Sequence, residues 1–116
     1  MLKQKYRLKK KYQFNYTFKT GQSKASKNII IYYTKSKNKN IKIGLSVTKK
    51  VGNAVTRNHT KRLLRVAVFP FLSNLKNNFN LIIVARPSIV TCNLNQIKSE
   101  LEILLNKAGL ICDKPV

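Results

Sequence analysis

No carboxylate occurs in the first 99 residues of this 116-residue chain. Its three acids are Glu100, Glu102 and Asp113, whereas 22 of its 24 Lys and Arg residues lie within residues 1–99. That stretch carries a formal +22 and the remainder −1, a net +21. A fold built from it cannot neutralise its cations internally, so they must face solvent or a polyanion. The expected partner is nucleic acid, with an anionic membrane surface as the weaker alternative. An apolar content of 43% suffices for one core, and the length leaves room for one domain.

Several kinds of chemistry fall away with the acids. Carboxylate-held metals, acid/base carboxylate pairs and aspartyl nucleophiles need clustered acids, and on a helix Glu100 and Glu102 point to different faces. Two cysteines and one histidine cannot complete a structural zinc site. Cys92 and Cys112, 20 residues apart without a CxxC, read as free thiols of a reducing cytosol rather than a disulfide. No apolar stretch follows the basic start, and the longest apolar runs, residues 29–33 and 81–85, fall far short of a bilayer span. A cytoplasmic location is expected.

Along the chain, residues 1–11 (Lys3, Lys5, Arg7, Lys9, Lys10, Lys11) read as a basic arm with little core to hold it. Tyr12, Phe14, Tyr16 and Phe18 then recur at a spacing of two, which by periodicity predicts a strand. Residues 28–34 are β-branched and aromatic, residues 36–40 form a polar turn, and Ile41, Ile43, Leu45 and Val47 alternate inward. The two segments predict an antiparallel hairpin with one buried face. Asn53 is a suitable N-cap for a helix from Ala54 to about Phe69, ended by Pro70, with Leu63, Leu64, Ala67 and Val68 inward. Residues 80–86 predict a short strand stopped by Pro87. The last helix is capped by Asn93, carries the stripe Leu94, Ile97, Leu101, Leu104 and Leu105, and closes at Gly109. The sum is one α+β domain over residues 1–116.

The richest constellation lies on the middle helix. Arg57, Lys61 and Arg65 repeat at i, i+4 and i+8, with Arg62 beside them and Asn58 and His59 between. Such a stripe repels itself until phosphate oxygens relieve it, and the guanidinium fork suits them. Lys49, Lys50 and Asn53 stand at the helix start, where free N–H groups favour an anion. Phe14, Phe18, Tyr32 and Tyr33, interleaved with lysines, match the stacking-plus-cation composition of single-strand binders, although core packing is an equal alternative for any one of them. If Ile29 and Ile31 face inward, Ile30 and Tyr32 share the other face. A lone His59 without an acid/base partner is a contact to RNA or solvent before it is a catalyst.

The run from Ile43 to Arg65, GLSVTKKVGNAVTRNHTKRLLR at its centre and end, strongly resembles the protein subunit of bacterial ribonuclease P. The likeness extends outward through Arg7-Leu8-Lys9-Lys10, Phe14, Phe18 and Gly21, through residues 28–32, and through residues 81–86 with Pro87. It implies the order α-β-β-β-α-β-α, a four-stranded sheet with helices packed on it, and a left-handed β-α-β crossover. It also implies a short strand near residues 23–25 and a helix, not a strand, over residues 12–18. Two positions depart from the family pattern: His59 replaces the second arginine of an Arg-Asn-Arg signature, and Val66 follows the last arginine, ahead of Phe69-Pro70-Phe71.

The function so implied is 5′ maturation of precursor tRNA, as a subunit of an endoribonuclease whose catalytic centre is expected in the RNA subunit. No catalytic or metal-binding residue is expected in the protein, and Mg²⁺ is expected mainly on the RNA. The resemblance assigns Lys49, Lys50, Asn53, Arg57, Asn58, His59, Lys61, Arg62 and Arg65 to the RNA subunit. It assigns Phe14, Phe18 and Tyr32 to the 5′ leader. The competing readings are a ribosomal-type RNA-binding protein, which needs no leader cleft, and a protein-only nuclease using His59.

Overall fold

In the computed structural model, which describes residues 4–37 and 39–111, the aromatic run is helical: α1 spans Lys11–Thr20. The periodicity reading of residues 12–18 as a strand is thus corrected, and the helix implied by the resemblance stands. A spacing of two also contains two i, i+4 pairs, Tyr12 with Tyr16 and Phe14 with Phe18, and a helix sends those pairs to different sides. Thr17 is fully buried between them, its hydroxyl donating to the Gln13 carbonyl at 2.9 Å.

The strands are β1 (Gln22–Ala25), β2 (Ile29–Lys35), β3 (Lys42–Ser46) and β4 (Phe79–Ala85), in the sheet order β1-β2-β4-β3. The hairpin expected between residues 28–34 and 41–47 does not form. β4 lies between the two, antiparallel to β2 and parallel to β3. Leu81, Ile82 and Ile83 are fully buried on both faces of the sheet, so the most apolar strand takes a central place with partners on each side. Lys3, Asn38, Cys112 and Asp113 lie outside the described residues.

Pleating gives the sheet two different faces. Ile29, Ile31 and Tyr33 of β2 join Leu81, Ile83 and Ala85 of β4 and Ile43 of β3 in the main core. Over that face lie α2 (Ala54–Val68), through Leu64, Ala67 and Val68, and α3 (Leu94–Ala108), through Ile97, Leu101, Leu104 and Leu105. Tyr33, one of the stacking candidates, belongs to this core: it packs on Phe79, with ring centroids 6.4 Å apart. On the opposite face the register sets Tyr32, Ile82 and Gly44 in one row.

The helix ends follow the sequence closely. The Asn53 side chain accepts from the Thr56 N–H at 2.9 Å. Asn93 and Gln96 form a reciprocal capping box, and Gly109 closes α3 in the left-handed region at φ 71°. α2 stops at Val68, and a 3-10 helix, Phe69–Asn74, takes over with Pro70 in its first turn. Among the described residues no helix is long and apolar enough to cross a membrane.

The basic arm is held more firmly than its composition suggests. β3 is an edge strand, and Arg7 bridges to Ile43 in parallel while the Leu8 N–H donates to the Ile43 carbonyl at 2.9 Å. Leu8 is 5% exposed, and Lys42 Nζ donates to the Lys5 carbonyl at 2.6 Å. One buried leucine and an open edge suffice to dock the segment from Gln4 onward.

Candidate nucleic-acid interface

The docked arm makes one wall of a groove. Arg7, Leu8 and Lys9 stand on one side and Lys61 and Arg65 of α2 on the other. Phe14 of α1 and the backbone of β3 at Ile43, Gly44 and Leu45 complete the lining of an open volume of about 290 Å³. Lys61 and Arg65 are half-buried, one turn apart on the flank of α2 that borders its core face. Two cations thus project from a partly desolvated flank beside an aromatic ring.

From Phe14, which lines the groove, a run of aromatic rings leads on beyond its lining. Phe14 and Phe18 lie 6.5 Å apart between ring centroids, tilted by 42°. Phe18 meets Tyr32 edge-on at 4.9 Å and 79°. The three residues assigned to the leader therefore come together from two elements, α1 and β2. Phe18 is partly open to solvent, and Phe14 and Tyr32 are half-buried. Rings held edge to face are preorganised, so a flat ligand would meet them at little entropic cost.

The remaining cations spread outward along α2. Arg62 and Asn58 are exposed, farther round the helix than Lys61 and Arg65. Arg57 is half-buried, and its Nε is buried with no hydrogen-bond partner among the described residues. Lys49 and Lys50 are exposed in the loop before α2. Asn53 has a structural task there, since its Oδ1 is already engaged in the cap.

His59 is exposed and lies off the groove. At 100° per residue it stands about 160° around α2 from Arg57 and from Lys61, but only about 60° from Arg62, and it borders a small depression with Thr56, Leu63, Ile89 and Cys92. Cys92 is a half-buried free thiol.

Two contributors escaped sequence reasoning. Arg7 read as part of a loose arm, and Gly44 read as one residue of an alternating strand. The signal for the arm, a leucine at position 8 among cations, is too slight to place the segment against β3. Among the described residues Glu100 is the one acid with a defined structural place: it accepts from the Ser26 hydroxyl, from the Asn28 side-chain amide and from the Asn28 N–H at 3.1 Å. Burial acts to raise its pKa, but those hydrogen bonds and the charge of Lys27 together hold it below the usual carboxylate range. Among the described residues no group of three His, Cys, Asp or Glu side chains converges.

Comparison with known proteins bears on the same surface. The family model for ribonuclease P matches residues 2–109. A ribonuclease P protein component from Oceanobacillus iheyensis is 40% identical, over 95% of this chain and 92% of the relative. That of Pediococcus pentosaceus is 35% identical, over 97% and 96%. The solved structure of the Staphylococcus aureus RNase P protein superposes with a TM-score of 0.83 at 32% identity, covering 91% of this chain and 97% of that one.

Proposed function

The chain belongs to the ribonuclease P protein family, and from that premise we propose that it binds two RNAs at once: the RNA subunit of the enzyme and the unpaired 5′ leader of precursor tRNA. Membership makes it a protein component of an endoribonuclease of tRNA processing, with RNA as its partner. The observation that carries the finer reading is the groove in which Phe14 faces Lys61 and Arg65.

In this reading the leader runs through the groove. Its phosphates lie against Lys9, Lys61 and Arg65, and its bases stack on Phe14, Phe18 and Tyr32, each stacked base being worth about 1–3 kcal/mol and tolerant of sequence. The folded RNA subunit lies along the outer flank of α2, against Asn58 and Arg62, and reaches Lys49, Lys50, Arg57 and the N-terminal end of the helix beside Asn53. Counterion release from these contacts supplies most of the affinity. His59, about 60° round the helix from Arg62, stands at the margin of that outer flank.

The protein makes no covalent step in this reading. Its contribution is to hold the leader in register and to screen the repulsion between two polyanions. The scissile phosphodiester and the Mg²⁺ that assists its hydrolysis then fall to the RNA subunit. A cytoplasmic location follows from the partners, and a free Cys92 suits a reducing compartment.

The test is cleavage of a precursor tRNA by a bacterial ribonuclease P RNA at low Mg²⁺, with and without this protein. Restored, accurate removal of the leader by a protein inert alone is the expected result. Tight binding to structured RNA without such rescue would replace this reading with a ribosomal-type one.

A further inference from the structure

Half of the aromatic surface of α1 is left out of the groove. Phe14 and Phe18 turn toward the sheet, and the same helical geometry turns Tyr12 and Tyr16 the other way. Tyr12 is 65% exposed and Tyr16 56%, against 38% for Phe18. They stand one turn apart on one row, and neither belongs to the hydrophobic core or packs against it. Two large rings left in water forgo the burial that usually justifies them.

Their surroundings are cationic. Lys10 Nζ stands 6.0 Å from the centroid of the Tyr12 ring. Lys11 and Lys19 are exposed on the same helix. Lys10 also follows Lys9, which lines the groove. A path of cations therefore leads out of the groove at Lys9, past Lys10, onto the Tyr12 ring, with no acid anywhere in the first 99 residues to interrupt it. A second copy of this chain would bring its own +21 to that surface, and an apolar protein partner would have to bury three lysines unpaired. A polyanion with flat, stackable groups fits both the charge and the rings.

We propose that Tyr12 and Tyr16 form a second base-stacking surface, outside the groove, for leader nucleotides farther from the cleavage site than those on Phe14 and Phe18. The inference rests on the leader reading above. α1 then acts as a post: the strand passes along its sheet side, crosses its N-terminal end at Lys9 and Lys10, and continues along its outer side.

Two precursor tRNAs with the same body test this in the assembled holoenzyme, one with roughly four unpaired leader nucleotides and one with roughly twelve, the range of single-strand site sizes. The double variant Y12A/Y16A is expected to bind the long-leader substrate about tenfold more weakly and the short-leader substrate unchanged. Y12F/Y16F, which keeps the rings, is expected to bind both as the unaltered protein does. Equal effects of Y12A/Y16A on the two substrates, or none on either, would overturn the proposal. So would a concentration-dependent self-association that Y12A/Y16A abolishes while leader binding is untouched. F14A/F18A reports separately on the groove: if it weakens neither substrate, the groove reading fails, whatever the tyrosines do.

Discussion

The ring of Phe14 lies over the bare α-carbon of Gly44: a methyl group there would stand 2.6 Å from Phe14 Cε1 and closer still to Cζ. Gly44 is thus the seat of a groove residue, reached across the row that also holds Tyr32 and Ile82. Only a residue without a β-carbon lets the ring settle on the strand. Gly44→Ala is expected to lift Phe14, weaken leader binding severalfold and cost about 1–3 kcal/mol of stability through overpacking. Leader affinity and the urea midpoint, measured on the same variant, check it; an unchanged affinity would show that the ring can move without loss.

Arg65 borders the groove, and in the proposed function it meets phosphate. Arg65→Ala is expected to reduce the slope of log K against log[salt] by about 0.7–0.9, the value of one phosphate contact. A titration of substrate affinity from low to moderate salt measures it. An unchanged slope would place Arg65 off the RNA.

His59 lines no part of the groove and borders a separate depression with Cys92. His59→Ala is therefore expected to leave precursor processing within about twofold of the unaltered protein, since a surface change outside the groove costs little. Loss of cleavage in that variant, together with RNA cleavage by the protein alone, would revive the nuclease reading.

Glu100 ties α3 to the turn between β1 and β2 through Ser26 and Asn28. Its folded-state pKa lies below the ordinary value of a glutamate. The sign follows: its contribution is fully present above the unfolded value and is lost as pH falls through the lower, folded value. Glu100→Gln is expected to be less stable than the unaltered protein at pH 7, and to lose less stability between pH 5 and pH 3. Urea midpoints across that range decide it; parallel curves for the two proteins would remove the link.

Local features were legible residue by residue. Asn53 and Asn93 announce helix starts because a short polar side chain can satisfy the free N–H groups there, and both do. Pro70 and Gly109 mark ends for equally local reasons. The Lys61–Arg65 flank follows from helical spacing alone. The aromatic run 12–18 was ambiguous by nature, since a spacing of two contains both a strand face and two helical pairs. The resemblance to a family, and not the periodicity, settled it.

What the sequence by itself determined is the charge, the helices with their caps, and the residue types that meet RNA in the proposed function; each depends on neighbours within about one turn. The tertiary structure alone decided that β4 separates β2 from β3, that Leu8 pins the arm to an edge strand, and that Phe14 rests on Gly44. Those relations join segments distant in sequence. They are set by which strand can be buried on both faces and which edge is left open, and such competition is resolved only when the whole chain is packed.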